Sequence, residues 1–231
     1  MPIAFALIPP FVITLLLLLR AEALQPRRPA HVRVWKSMVT AWLLGVAWLS
    51  LLESPRAPLY TVLVSAGLAC SLVGDWLLIE AEDPKRFARG GAALMLAHMS
   101  YVLAFAFAQH VRQMPLDLSR ESWLAVALLV MGGMVYLYLR PSVGAMNNAV
   151  LLYITTLSLM VHRAASSVVP GGGLIAQPAL AAGGALLCYA SDFMMAINKF
   201  VFGSGDRSNH VWVLVTRYSA QLLIALSASL L

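Results

Sequence analysis

Eight runs of apolar residues, each near the length that a helix needs to cross a hydrocarbon layer, dominate this chain. They fall near 2–19, 35–52, 59–79, 88–108, 123–139, 145–162, 174–199 and 211–230, where a span takes about 20 residues. With 61% hydrophobic and 11% charged residues, the composition excludes an ordinary soluble domain, which is about a quarter charged. Backbone polar groups in hydrocarbon must be satisfied internally, and the runs lack the period-2 alternation of a barrel strand. The expected fold is therefore all-α, a polytopic membrane bundle of eight transmembrane helices forming one domain over residues 1–231.

Charge sets the expected orientation. The connections after the first, third, fifth and seventh runs carry eleven basic residues: Arg20, Arg27, Arg28, Arg33, Lys36, Lys85, Arg86, Arg89, Arg140, Lys199 and Arg207. The connections after the second, fourth and sixth carry Arg56, Arg112, Arg120 and Arg163. The positive-inside rule places the richer loops in the cytoplasm. The net charge of +6 is thus read as topology rather than as a nucleic-acid surface, because the cations flank apolar runs instead of forming a patch. The first run lacks a basic leader, so Ala21-Glu22-Ala23 is not expected to be a cleavage site. Cys70 and Cys188 both sit inside runs, which leaves no disulfide framework and no C-x-x-C motif.

Of the ten acidic residues, only Asp75 and Asp192 lie well inside spans. An ionisable residue in a membrane helix is costly unless paired or hydrated and marks a candidate site. An offset of 117 residues relates Asp75 to Asp192, Trp76 to Phe193 and Tyr101 to Tyr218. Four helices separate each pair, which suggests two parallel four-helix repeats and makes the two acids equivalent.

Lys36, His98, Arg140, Asn147, Asn148, Asn198, Lys199 and Arg217 lie toward the same, basic-loop ends of their helices. Polar residues are thus expected to crowd one half of the bundle and to leave the other apolar, the shape of a pocket for a polar head and a single tail. Gly67, Ser71 and Gly74 give α-helical spacing for the close approach of another helix at Asp75. The simpler reading is that Asp75 pairs with Arg217 or Lys36, and Asp192 with Lys199, merely to hold helices together. Two acids, several bases and a histidine exceed what one packing pair requires.

The motifs resemble the YhhN family of lysoplasmalogenase-like membrane proteins. The likeness is carried by Ser71-Leu72-Val73-Gly74-Asp75-Trp76-Leu77-Leu78, Ala97-His98 with Tyr101, Arg140-Pro141, Ser191-Asp192 leading to Ala196 and Lys199-Phe200, and Tyr218, Ala220 and Gln221. Ser37 departs from the family pattern, where proline is expected after Lys36. The resemblance implies eight spans and hydrolysis of the vinyl-ether bond of a lysoplasmalogen, giving a fatty aldehyde and a glycerophospho-alcohol. The implied partners are a single-tailed phospholipid and the bilayer, with no nucleic acid, and the expected location is a bacterial inner membrane with the site toward the cytoplasmic leaflet.

Vinyl-ether cleavage begins with protonation of the β-carbon, so it needs a proton donor. Two carboxyl groups brought together in low dielectric do not both ionise readily, so one serves as donor and the other as stabiliser or base; Asp192 is assigned the first part and Asp75 the second, an order that the sequence leaves open. Lys36, Lys199 and Arg217 are expected on the phosphate, with His98, Tyr101, Arg140, Tyr153, Asn198, Tyr218 and Gln221 completing the substrate site. No cofactor or metal is called for, since His98 is the one histidine well inside a span. A proton-coupled transporter or flippase is the competing class, and it requires polar groups reaching both faces.

Overall fold

In the computed structural model, the described residues are 3–23, 29–53, 57–79, 83–113, 117–168, 176–202 and 207–230. Pro2, the first residue of the first apolar run, and Arg27, Arg28 and Arg56 of the charge bias lie outside them. Eight α-helices are present among the described residues: α1 (Ile8–Ala23), α2 (Pro29–Glu53), α3 (Pro58–Leu78), α4 (Pro84–Val111), α5 (Leu118–Val143), α6 (Asn147–Ser166), α7 (Ala176–Phe200) and α8 (Arg207–Ser227). Short 3-10 turns precede α1, join α5 to α6 and follow α8.

Local sequence explains several boundaries. Pro29, Pro58 and Pro84 open α2, α3 and α4, positions where a missing N–H is not needed and the fixed φ suits a helix. Asp83 caps α4 by accepting from the Lys85 backbone N–H at 2.9 Å, and Asp117 caps α5 from that of Arg120 at 3.2 Å. Between α5 and α6 the chain turns at Gly144, whose φ of 53° is open to glycine at little cost. The chain stays helical through that turn, so Leu118–Ser166 runs on as one 49-residue stretch, and the described residues hold seven stretches long and apolar enough to span although they form eight helices.

The protein is a multi-pass integral membrane protein. Its outward faces are apolar, as at Leu129 and Trp123 on α5, which are 76% and 73% exposed. Of the candidate spans, the one over α8 is the most enclosed, and the joined α5–α6 segment is the most peripheral. Two helix pairs pack most closely. In α3–α4, a side chain at Gly67 would overlap the Tyr101 ring, and one at Gly74 would come within 2.8 Å of Leu94. In α7–α8, one at Gly184 would lie 2.7 Å from Ile224 and 2.9 Å from the Ala220 carbonyl. Missing side chains at these positions let the helices approach.

The packing scheme repeats. α1 on α2, α2 on α3, α3 on α4 and α2 on α8 have counterparts in α5 on α6, α6 on α7, α7 on α8 and α6 on α4. The 117-residue offset also relates Lys36 to Tyr153, Tyr60 to Gln177 and Gly67 to Gly184. Tyr60 and Gln177 touch each other, the Gln177 amide donating to the Tyr60 hydroxyl at 3.2 Å.

Candidate functional site

Asp75 lies in the last turn of α3 and Asp192 two turns before the end of α7. Each is 4% exposed. Arg217 of α8, equally buried, joins them: its Nη1 donates to Asp75 Oδ1 at 2.9 Å and its Nη2 to Asp192 Oδ1 at 2.5 Å. Arg217 Nη2 also lies 3.4 Å from Met195 Sδ. The guanidinium presents its donors in a planar fork, which suits it to bridging two carboxylates from different helices.

The remaining carboxylate oxygens are taken up from both halves. Tyr218 donates to Asp75 Oδ2 at 3.2 Å, and Lys36 Nζ reaches the Asp75 backbone carbonyl at 3.4 Å. Tyr153 donates to Asp192 Oδ2 at 2.5 Å, with His98 Nε2 3.3 Å from the same oxygen. The His98 and Tyr153 rings meet edge to face, centroids 5.5 Å apart, and no hydrogen-bond partner reaches His98 Nδ1 among the described residues.

Beside this cluster an open-mouthed cavity runs among α4, α5, α6 and α7. Its walls are apolar: Phe87, Met95, Leu139, Val150, Leu157 and Phe193 are representative. Asp192 is its one charged lining residue, with Tyr153 alongside, whereas Asp75 is not part of the wall. Near the end of α7, Lys199 Nζ sits 5.2 Å over the Phe87 ring, and Phe87 packs edge-on to Phe200.

A model of the YhhN family matches residues 32–228. The chain belongs to the YhhN family. It is 32% identical over 167 residues to lysoplasmalogenase TMEM86A of Bos taurus, an alignment covering 71% of this chain and 64% of that relative. With lysoplasmalogenase TMEM86B of Homo sapiens it shares 33% identity over 193 residues, 84% of this chain and 73% of that one. The chain thus spans slightly less than two thirds of the TMEM86A length. No solved structure matches it.

In this YhhN-family chain the residues singled out from sequence divide into two groups. Asp75, Asp192, Arg217, His98, Tyr153, Tyr218 and Lys36 converge. Gln221 lies one turn along α8 from Arg217 and donates to Ser71 Oγ at 2.6 Å. Tyr101 packs on Gly67, with its buried hydroxyl unpartnered among the described residues. Lys199 and Asn198 stand at the far end of α7, and Arg140 is exposed in the last turn of α5. Arg217, expected on a phosphate, instead has both carboxylates on its guanidinium.

Two features escaped the sequence. Glu22, placed at a helix end, is buried with its side chain 2% exposed, Oε1 3.4 Å from His210 Nε2. The half expected to be wholly apolar holds a neutral polar cluster: Tyr60 with Ser227 at 2.7 Å, Gln177, and Ser50 with Thr61 at 3.3 Å. Hydroxyls and amides near helix ends look interfacial in sequence, and only packing buries them. Among the described residues, no group of three or more His, Cys, Asp or Glu side chains is placed to hold a metal.

Proposed function

We propose that the protein is a membrane-embedded hydrolase that cleaves the vinyl-ether bond of lysoplasmalogen-type lysolipids by aspartate acid/base catalysis. The observation that carries this reading is one reactive-type carboxyl, Asp192, set in the wall of an otherwise apolar cavity. The lysoplasmalogenase names of the relatives supply the substrate class.

In the proposed cycle Asp192 reacts in its protonated form, the proton on Oδ2 beside Tyr153 while Oδ1 stays on Arg217, and gives that proton to the vinyl β-carbon. The oxocarbenium ion that forms faces a carboxylate, as in the paired-carboxylate glycosidases. Water adds to the cation and returns a proton to Asp192, so the proton count balances, and the hemiacetal collapses to aldehyde and alcohol. Asp75, itself held by the Tyr218 hydroxyl, holds Arg217 from behind and fixes the charge around Asp192. From Asp192 to Lys199 is about 10 Å along α7, and the flexible lysine stem can carry its ammonium group back toward a phosphate that lies a glycerol's length from the ether oxygen. Lys199 therefore takes the phosphate, at the basic-loop end that the charge count assigns to the cytoplasm of a bacterial inner membrane.

The transport reading is less well supported. Between Ser71 and Thr61 on α3, Val64 and Leu68 are fully buried and apolar, and they part the charged cluster from the neutral one.

Purified protein in detergent is expected to release fatty aldehyde from lysoplasmenyl-ethanolamine. Asp192→Asn removes the release, and so does Gly91→Phe, whose side chain would enter open cavity space since nothing lies within 4 Å of a Cβ there. Well-folded protein that releases no aldehyde, or variants that keep full turnover, would falsify the assignment.

A further inference from the structure

We infer that the hydrocarbon chain of the substrate enters and leaves sideways, through a slit between α4 and α6 that opens into the leaflet at the charged end of the bundle. The occupant named here rests on the hydrolase reading above; the slit itself rests on geometry.

Of the residues lining the cavity, four are exposed: Ala88 and Ala92 on α4, Ala149 and Leu152 on α6. Every other lining residue is buried or half-buried. The opening therefore lies on one side, between these two helices. Ala88 and Ala92 stand about 6 and 12 Å along α4 from its first residue. Both belong to stretches long and apolar enough to be membrane spans, so the medium beyond the opening is lipid.

The two helices form a V. They meet where the His98 ring abuts Tyr153, and again where Gln109 Nε2 donates to the Arg163 carbonyl at 3.0 Å. Toward Pro84 and Met146 the cavity separates them. The apex of the V is the pair that touches Asp192. A chain sliding between the arms is thus stopped at the carboxyl group.

Charge at the rim suits a phospholipid. Lys85 and Arg89 are exposed in the first turns of α4, and Lys199 lies over Phe87 of the cavity wall, all at the level where a phosphate would rest. An aqueous mouth alone would leave the exposed apolar flank of the cavity without a role.

A lysophosphatidylethanolamine analogue with a saturated ether link and a diazirine in its chain tests this in nanodiscs of phosphatidylethanolamine and phosphatidylglycerol. Adducts mapped by mass spectrometry are expected on 88–96 and 149–152. Adducts spread evenly over outward faces such as Leu129, or a cross-linked second copy of the chain in their place, overturn the slit. In parallel, Ala92→Trp with Ala149→Trp is expected to raise KM for a long-chain bilayer substrate about tenfold more than for a short-chain, water-soluble one. Equal changes for both overturn the route. If the wild type cleaves no lysolipid, the hydrolase reading fails while the adduct map still decides the slit.

Discussion

Lys36 in α2 and Tyr153 in α6 stand 117 residues apart at the same place in the two halves, and each addresses the aspartate of the following helix. Around Asp192 the neighbour is a phenol, and the space beyond it is a cavity. Around Asp75 the neighbour is an ammonium group on the backbone carbonyl, and the acid is no part of the cavity wall. A shared packing scheme therefore yields two chemically unlike acids, one facing substrate space and one facing the protein. Lys36 against Tyr153 is one part of that difference, and His98 on Asp192 and Tyr218 on Asp75 are others.

The sharpest way to break this contrast is to remove what both halves share. Arg217→Met leaves two buried carboxylates without their bridge, and losing one member of a buried pair costs about 3–5 kcal/mol. A thermal scan in detergent is expected to show the largest loss of stability of any variant named here. An unchanged midpoint would mean the bridge does not bear on the fold.

Next come the two acids. Asp192→Asn is expected to lower kcat by about 10²–10⁴, the range for general acid/base catalysis. Asp75→Asn lowers kcat less and leaves aldehyde release measurable. Equal loss from both, in single-turnover assays on folded protein, would erase the distinction between a reacting and a supporting acid. The same logic extends to their partners at smaller scale. Tyr153→Phe is expected to reduce kcat about tenfold with a modest change in KM, while Lys36→Met shifts the thermal midpoint more than the turnover number.

The smallest effects concern the close helix contacts. Gly67→Ala and Gly184→Ala each crowd a neighbour, with overpacking in the range of about 1–3 kcal/mol. Similar destabilisation in both would extend the likeness of the halves to their packing. A neutral Gly184→Ala would confine the tight contact to α3–α4.

Much of the fold was legible because membrane spans follow from run length and charge. The join of α5 to α6 was legible as well, from the break between the runs ending at 139 and starting at 145, where the chain turns at Gly144. The site was legible in part for the same reason: Asp75 and Asp192 stand out where acids are costly. The pairing of Arg217 with Asp75 was among the simpler readings, but its bridge to Asp192 was not, since a basic residue inside a helix shows its depth but not every helix it faces. A pocket was expected from the one-sided polar residues, but its walls could not be named, as they are the same residue types that face lipid elsewhere. Glu22 and Gln177 were hidden by their position near helix ends, where burial is decided by the neighbouring helix.

One guanidinium serving acids on two separate helices acts as a rivet. Sliding α3 against α7, or tilting either half on the other, would strip an ion from its counter-ion with hydrocarbon all around, so the resting frame stays rigid at that level. Whatever breathing the molecule needs is left to parts beyond that level, such as the ends of α4 and α6 on the cavity side of His98 and Tyr153.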